Sequence, residues 1–216
     1  MLTLSEEFLI LSIHEAKGTI FGPAQDRLKS GLAGALLAEL ALVGKIKASN
    51  NHRLQVIDGE RTEDEILNKI LGGLKESEKE RKFGYWINTL SPKIEKIQEK
   101  IIERLVQKGV FTMDEERLVW AIPSPLQTEV KASTKYLLNK RLRGIVLAQE
   151  EFQKRDIVLL SLVRACDLLD LVFLRDERKL ADRYINEQLF SQAITDPIIQ
   201  TVQEIEAAIA VTVEED

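Results

Sequence analysis

The chain has 216 residues, with 30 Lys and Arg side chains against 35 Asp and Glu, which gives a net charge of −5. A hydrophobic content of 44 % and a charged content of 30 % are typical of a soluble globular protein. These values exclude intrinsic disorder and collagen-like repeats, and a single cysteine is too few for a disulfide framework. The length fits one domain, which we expect to span residues 1–216.

The first residues predict a capped, buried helix. Thr3 and Glu6 have the spacing of a capping box, and the apolar run that follows predicts a helix to about His14. This start lacks the basic and apolar regions of a secretory signal, and no segment reaches the roughly 20 apolar residues that span a bilayer. Together with the lone Cys166, these features predict a cytoplasmic protein.

A second helix is predicted at residues 28–43, where leucines recur every three or four positions. Gly44 follows directly and is predicted to cap its C-terminus. Gly31 and Gly34 lie inside the helix, where glycine is unfavourable, so we expect them to admit another backbone at close range.

The middle of the chain predicts two β-hairpins, at 45–57 and 110–122, each after a helix that ends in glycine. Between them, a capping box at 62–65 predicts one helix start, and Ser91 followed by proline predicts another. The highly charged residues 75–82 predict a solvated linker or an exposed helix end. The repeated order of helix, glycine and hairpin is compatible with an internal duplication, although the two units share little sequence.

The C-terminal half predicts helices only, at 130–147, 157–174 and 176–190, with a last one that Asp196 caps. The segment 157–174 is apolar on nearly every side, which is typical of a helix buried all round. The predicted fold is therefore all-α, with amphipathic helices wrapped around a buried central helix and two peripheral β-hairpins.

The sequence predicts no enzyme, metal site or cofactor, because no nucleophile with a base, metal cluster or phosphate-binding loop occurs at a recognisable spacing. His14 and His52 lie at a helix end and in a hairpin, where capping and surface roles are commoner than metal ligation. Asp167 and Asp170 could form an acid pair, but Arg164, one turn before Asp167, favours an ordinary ion pair on the helix surface.

The strongest chemical signal is a helix rich in basic residues. Residues 130–149 contain no acid and five basic side chains, so this segment carries +5 and the rest of the chain −10. These side chains are Lys131, Lys135, Lys140, Arg141 and Arg143. Lys and Arg bind phosphates through charge-assisted hydrogen bonds, so the helix predicts an anionic partner, and a solvated helix face is the alternative.

Three segments, 2–11, 30–46 and 159–173, resemble the Golgi phosphoprotein 3 family, and they follow the family's order across nearly the whole chain. The glycine-containing stretch 30–46 carries the most specific part of the likeness. The resemblance implies an all-α peripheral membrane protein that is not an enzyme. Eukaryotic members bind phosphatidylinositol 4-phosphate on Golgi membranes and link glycosyltransferases to trafficking proteins.

The family's headgroup pocket maps onto this chain only in part. Lys140 and Arg141 correspond to its later basic positions, with Arg143 close by. Its tryptophan and its arginine correspond to Ala24 and Ala33, so the aromatic wall and one phosphate-binding fork are absent from this sequence. These departures fit a divergent member of the family, a prokaryotic one included.

Other residues could compensate for these losses. Arg27 and Lys29 follow the same loop and are candidates to contact the headgroup. Because a few cations hold a membrane surface only weakly, an apolar anchor would also be needed. Phe21, Phe111 and Trp120 are the candidates for that anchor, although aromatic residues of a hairpin usually belong to the core.

These observations predict a cytoplasmic, peripheral membrane protein bound to an anionic, phosphoinositide-like phospholipid headgroup, on the cytosolic face of the Golgi if the source is eukaryotic. Cytoplasmic tails of membrane proteins and a second copy of the chain are further partners that the sequence leaves open. The alternatives are a protein-interaction scaffold that has lost lipid binding and a winged-helix-like nucleic-acid-binding module. The net charge of −5 argues against nucleic acid.

Overall fold

A computed structural model of the chain describes residues 1–13, 25–114, 117–120 and 134–214. The helices in this part are α1 (Leu4–Ser12), α2 (Gln25–Leu42), α3 (Glu65–Lys75), α4 (Phe83–Leu90), α5 (Ile94–Gln107), α6 (Thr134–Leu147), α7 (Lys154–Ala165), α8 (Arg178–Ala193) and α9 (Pro197–Glu214). The strands are β1 (Ile46–Ala48), β2 (Arg53–Val56), β3 (Arg81–Lys82), β4 (Phe111–Asp114) and β5 (Arg117–Trp120). Helices dominate, which confirms the predicted mainly α fold.

The first helix, α1, is buried along its whole length. Its predicted capping box is present, since Thr3 Oγ1 accepts from the Glu6 backbone N–H at 3.2 Å and Glu6 Oε2 accepts from the Thr3 N–H at 2.7 Å. A helix without an exposed face must be surrounded by other elements, and α1 packs against α2, α5, α6 and α7.

The second helix, α2, has more neighbouring helices than α1 has. It packs against α1, α3, α4, α5, α7 and α9. It is followed, as predicted, by Gly44, whose φ of +73° glycine adopts without strain. The prediction that the two internal glycines admit another backbone is wrong, because side chains pack against both of them. An added Cβ would lie 2.3 Å from Phe8 Cζ at Gly31 and 2.6 Å from Ile209 Cδ1 at Gly34.

The predicted central helix at 157–174 is wrong in its length. α7 ends at Ala165, and a short 3-10 turn, Leu169–Leu171, follows it. The buried centre is also shared, because α1 and α2 are as deeply enclosed as α7. The core is therefore a stack of three buried helices wrapped by the others.

A Schellman motif ends α7 early. Asp167 has φ of +52°, and its N–H donates to the Arg164 carbonyl at 2.8 Å, while the Leu168 N–H donates to the Val163 carbonyl at 2.9 Å. Aspartate tolerates this left-handed conformation better than most residues. The apolar residues that follow still enter the core, so their pattern is indistinguishable from that of a continuing helix.

One strand and one helix are additional to the predicted elements. β3, within the predicted linker at 75–82, pairs antiparallel with β2 and extends the first hairpin to three strands in the order β1-β2-β3. α4 follows directly. Its glycine, aromatic and β-branched residues have low helix propensity, but Phe83, Trp86, Ile87 and Leu90 are buried on one side, and this packing stabilises the helix.

Two predicted helix caps have different outcomes. α3 begins after Asp64, whose Oδ1 accepts from the Ile66 N–H at 2.7 Å, so the predicted cap at Thr62 is wrong. Asp196 caps α9 as predicted, since its Oδ1 accepts from the Ile198 N–H at 2.9 Å.

The second hairpin, β4–β5, is confirmed, with Phe111 paired to Trp120 across the two strands. It follows α5 through Gly109, which has φ of +69°. The helix, glycine and hairpin layout therefore occurs twice in the structure, as predicted, although only the first unit gains a third strand in the described part of the chain.

Candidate functional site

The basic helix α6 lies against α1 and α8, and its cations have different environments. Lys135 is buried, and its Nζ donates to the Leu11 carbonyl at 3.0 Å and to the Ile13 carbonyl. These carbonyls lie at the C-terminal end of α1, where a cation is favourable because the helix dipole is negative there. Lys135 therefore binds α1 and does not face outward, while Lys131 lies outside the described residues.

Arg141 faces a pair of carboxylates from other elements. Its Nη2 lies 3.0 Å from Glu7 Oε1 on α1, and its Nε lies 3.1 Å from Asp156 Oδ1 on α7. The two carboxylates are nearly buried, whereas 42 % of the arginine side chain remains exposed. The guanidinium thus compensates buried acids on its inner side and presents its outer side to solvent.

Arg143 joins α6 to the start of α8. Its guanidinium forms a bidentate pair with Glu177, with Nη2 to Oε1 at 2.6 Å, and its Nη1 donates to the Val172 carbonyl at 3.2 Å. The hydrogen bond from Arg143 is the largest influence on the pKa of Glu177 and holds it below its usual value. This pair explains how α6 is anchored to α8.

One face of α6 remains exposed. It consists of Tyr136, Leu137, Lys140 and Arg141, which recur at positions i, i+1, i+4 and i+5 of the helix. Tyr136 and Leu137 are both more than half exposed, so two consecutive large apolar side chains lie at the surface of this helix. No carboxylate lies within 4 Å of Lys140 among the described residues. We refer to these four side chains as the outer face of α6.

The other two predicted headgroup residues lie on different sides of α2. Arg27 pairs with Asp167 at 2.6 Å and lines a cavity of about 670 Å³ beside the end of α7. Lys29 pairs with Glu95 on α5 at 3.1 Å. The structure therefore brings Lys140 and Arg141 together on one surface, and it does not bring Arg27 or Lys29 to that surface.

The resemblance assigns the family's tryptophan and arginine to Ala24 and Ala33, and the structure describes only the second of these two positions. Ala33 is fully buried on α2, so an arginine there would place a cation in the core of this chain. Ala24 lies outside the described residues, as does Phe21.

The candidate membrane anchors in the second hairpin are partly corrected by the structure. Phe111 is buried and belongs to the core, so the prediction that it anchors the protein to a membrane is wrong. The side chain of Trp120 lies outside the described part. The exposed Tyr136 and Leu137 were not among the candidates, although their position beside Lys140 on a basic helix was visible in the sequence.

Sequence reasoning also missed a buried ionic network at the N-terminus of α1. Arg155 on α7 contacts Glu7 at 3.2 Å, Glu39 at 2.9 Å and the Leu2 carbonyl at 3.0 Å. Burial alone lowers the pKa of Arg155, but the two carboxylates outweigh it and raise that pKa above its usual value. The sequence contained one signal for this network, because Glu6 and Glu7 lie on a helix that is predicted to be buried. Buried carboxylates need cations close to them, so basic side chains from other elements are expected there.

A second part of this network involves Glu6, whose side chain is fully buried. Its carboxylate lies 2.7 Å from Lys108 Nζ and 3.5 Å from Arg104 Nε, and Arg104 also pairs with Asp64 at 2.6 Å. The acids of α1 are therefore neutralised by cations from α5, α6 and α7.

The remaining titratable candidates have structural roles in the described residues. His52 pairs with Glu204 at 2.6 Å, while His14 lies outside that part. The predicted ion pair of Arg164 with Asp167 is wrong, because Arg164 pairs with Glu206 at 2.6 Å and Asp167 turns toward Arg27. The early end of α7 moves Asp167 off the helix surface.

Neither a reactive thiol nor a metal cluster is found among the described residues. Burial raises the pKa of the Cys166 thiol to about 12, which keeps it protonated and unreactive. No group of three or more His, Cys, Asp or Glu side chains in the described ranges could hold a metal ion.

No helix in the described part of the chain combines the length and the low charge that crossing a bilayer requires. A family model described as Golgi phosphoprotein 3 (GPP34) matches residues 4–205. The match spans α1 to the middle of α9 and includes the whole of α6.

Proposed function

The chain belongs to the Golgi phosphoprotein 3 family, and from that membership we propose that it is a peripheral membrane protein that binds anionic phospholipid headgroups. The outer face of α6 would be its contact surface. The observation that carries the proposal is the juxtaposition of two exposed apolar side chains, Tyr136 and Leu137, with the cations Lys140 and Arg141 one turn further along the helix.

This combination suits the boundary between headgroups and acyl chains. Helices that lie in a membrane interface place apolar and aromatic residues toward the acyl chains and basic residues at the level of the phosphates. Tyrosine is favoured there because its ring is apolar and its hydroxyl is polar. Each basic residue near an anionic surface contributes about 1 kcal/mol, so two cations bind only weakly and in a salt-sensitive way without the apolar contacts.

The predicted headgroup residues have unequal parts in this proposal. Lys140 contributes a cation without a carboxylate partner among the described residues, and Arg141 contributes the exposed side of its guanidinium. Arg143 holds α6 in place through Glu177. Arg27 and Lys29 are engaged by Asp167 and Glu95, away from this face, and would contact lipid only after those pairs opened.

The ligand we propose is a phosphate at the membrane surface, with little selectivity among anionic lipids. A selective pocket needs walls that enclose the headgroup, whereas the proposed residues lie on the convex surface of one helix. Ala33, where the family has an arginine, is buried and contributes nothing to headgroup binding. Phosphatidylserine and phosphatidylinositol 4-phosphate should then bind according to their charge.

Vesicle flotation tests this proposal. The protein is mixed with vesicles of phosphatidylcholine alone, or with added phosphatidylserine or phosphatidylinositol 4-phosphate, at low and at high salt. We expect binding to both anionic compositions at low salt only. Lys140→Glu should weaken that binding by more than about tenfold, because it reverses one of the charges that face the phosphates.

Matched variants separate the outer face of α6 from general surface properties. Lys79→Glu makes the same charge change at an exposed lysine between α3 and β3. Leu137→Gln and Leu180→Gln each remove one exposed leucine from a helix, α6 or α8. We expect only the α6 variants to lose binding. Equal losses in both members of a pair, or wild-type binding to neutral vesicles alone, would contradict the proposal.

The internal pairing of four of the five predicted cations favours a second candidate function. A surface whose arginines already compensate carboxylates has less charge to offer a membrane, and a protein-interaction scaffold in the same family would need none. The absence of any flotation with anionic vesicles at low salt would favour this scaffold over the membrane-bound protein.

A further inference from the structure

An apolar groove opens between α3, α4 and α5, on elements other than α6. Its volume is about 660 Å³, within the range of sites that enclose small ligands. Its apolar wall is formed by residues one turn apart on each helix: Ile66, Ile70, Leu74, Trp86, Leu90 and Ile97. The chain therefore has an open groove whose floor is suited to a hydrocarbon chain.

The rim of the groove is strongly basic. Four exposed lysines line it, and Glu76 is its single acid: the lysines are Lys69, Lys93, Lys96 and Lys100. No ion pair within 4 Å holds any of the four in the described ranges, in contrast to Arg104 in the last turn of α5 and Lys108 directly after it. We refer to these four side chains as the lysine rim.

Two members of the lysine rim lie next to one another. Lys69 on α3 and Lys100 on α5 are close enough that hydrogen bonding with Lys100, followed by its charge, lowers the pKa of Lys69, and Glu65 only partly opposes this. Two neighbouring ammonium groups without a shared anion repel each other. A carboxylate or phosphate between them would accept from both and remove that repulsion.

The floor of the groove contains an unsatisfied donor. Trp86 is buried and lines the groove, and its indole N–H has no hydrogen-bond partner among the residues that the structure describes. Buried N–H groups without an acceptor are rare in native proteins. Beside it, Tyr85 packs edge-on at 5.2 Å between ring centroids, and Arg81 lies 5.1 Å from the Tyr85 ring centroid.

We infer that this groove binds a single-chain anionic amphiphile, with its hydrocarbon chain along α3, α4 and α5 and its negative head between Lys69 and Lys100.

Charge complementarity and shape select this occupant. A neutral apolar ligand would leave the lysine rim uncompensated, and a small inorganic anion would leave the apolar wall exposed to water. A long-chain carboxylate satisfies both, because its chain covers the residues of the floor and its head bridges two ammonium groups. The inference does not rest on membrane binding by α6, since none of the groove residues belongs to the outer face of α6.

Isothermal titration of the full chain with sodium laurate, below its micellar concentration, tests the inference. We expect one saturable site per chain. Dodecyl maltoside, which has a similar chain and a neutral head, should bind at least about tenfold more weakly, and acetate or inorganic phosphate should show no saturable binding, because each lacks one half of the interaction.

Two adjacent glycines of α3 provide a matched pair of variants. An added Cβ meets nothing within 4 Å at either Gly72 or Gly73, so a side chain can leave the backbone at both positions without a clash. Gly73 lines the groove and Gly72 does not. Gly73→Leu should therefore fill the groove and abolish laurate binding, while Gly72→Leu should bind as the wild type does.

The charged end of the site is tested by Lys69→Gln and Lys100→Gln. The double variant should weaken laurate binding about tenfold or more while leaving dodecyl maltoside binding unchanged, because only laurate has a head for these lysines. Lys79→Gln, an exposed lysine outside the groove, serves as the control.

Three results would overturn the inference: no saturable laurate binding, equal binding by the Gly72 and Gly73 variants, or no effect of the lysine variants. The first would leave the groove to another occupant, such as an acidic amphipathic helix of a protein partner. Failure here is distinguishable from failure of the proposed function. Gly73→Leu should still float with anionic vesicles, and Lys140→Glu should still bind laurate.

Discussion

The basic helix α6 and the lysine rim of the groove differ in how their charge is distributed. In the sequence, α6 lies in the acid-free segment 130–149, whereas α5 alternates acids and bases and has no striking net charge. In the structure, the lysine rim carries more unpaired charge than α6 does. Arg141 and Arg143 of α6 are paired with carboxylates, and Lys135 is held by backbone carbonyls. In contrast, no ion pair within 4 Å holds any member of the lysine rim in the described residues.

Charge in a helical protein therefore has to be counted by face, and not by segment. Lys93, directly before α5, and Lys96 and Lys100 within it recur at intervals of three and four residues and so share one face. Acids of α5 such as Glu95 and Glu99 fall on another face. This pattern was present in the sequence, but the mean charge of the segment concealed it.

The largest expected difference is in the free energy of unfolding when one cation is removed from the ionic network around α1 and one from the lysine rim. Arg155→Met should lower the free energy of unfolding by about 3 kcal/mol, because the nearly buried Glu39 loses its cation. Lys100→Met should not lower it, because this lysine compensates no carboxylate within 4 Å among the described residues and repels Lys69. Urea unfolding of both variants measures the difference. Equal losses would show that the two regions are alike in their electrostatics.

A pH series of unfolding sharpens the same comparison at the end of α6. The pKa of Glu177 is lowered in the folded chain by Arg143, so the pair stabilises above the unfolded pKa and this contribution is lost as the pH falls through the folded pKa. Arg143→Met should therefore cost about 1 kcal/mol near neutral pH and progressively less in acid. A cost that does not change with pH would contradict the role we assign to Arg143.

The smallest expected effect is the change in stability when either of two glycines of α3, one of which lines the groove, is replaced by leucine. Gly72→Leu and Gly73→Leu should each raise the free energy of unfolding by about 0.5 kcal/mol, since both replace glycine in a helix without a steric clash. Thermal unfolding of both variants measures this gain. Destabilisation by Gly73→Leu alone would indicate that the groove is closed in solution and would remove the basis for a ligand there.

Much of the fold could be predicted because local patterns decide it. The capping box of Thr3, the glycine after α2 and the cap of α9 all depend on residues within a few positions of one another. α4 was missed for the opposite reason. Its residues have low helix propensity, and their burial against α2 and α9 stabilises it.

The candidate site could be predicted only as a list of residue types on one helix. Lys135, Arg141 and Arg143 are equivalent in the sequence, yet the structure makes the first a buried cap for α1 and the last a tie to α8. Which cation remains available depends on acids from other elements, such as Glu7, 134 positions from Arg141, and Glu177, 34 positions from Arg143. No spacing rule within α6 contains that information.

The sequence by itself determined the family, the mainly α fold, and the presence of a basic helix and two hairpins, because helix periodicity and turn chemistry are local properties of the chain. The tertiary structure alone decided where charge is compensated and where it is left over. An ion pair needs two groups within a few ångströms, and packing brings Glu7 to Arg141 and leaves Lys69 beside Lys100.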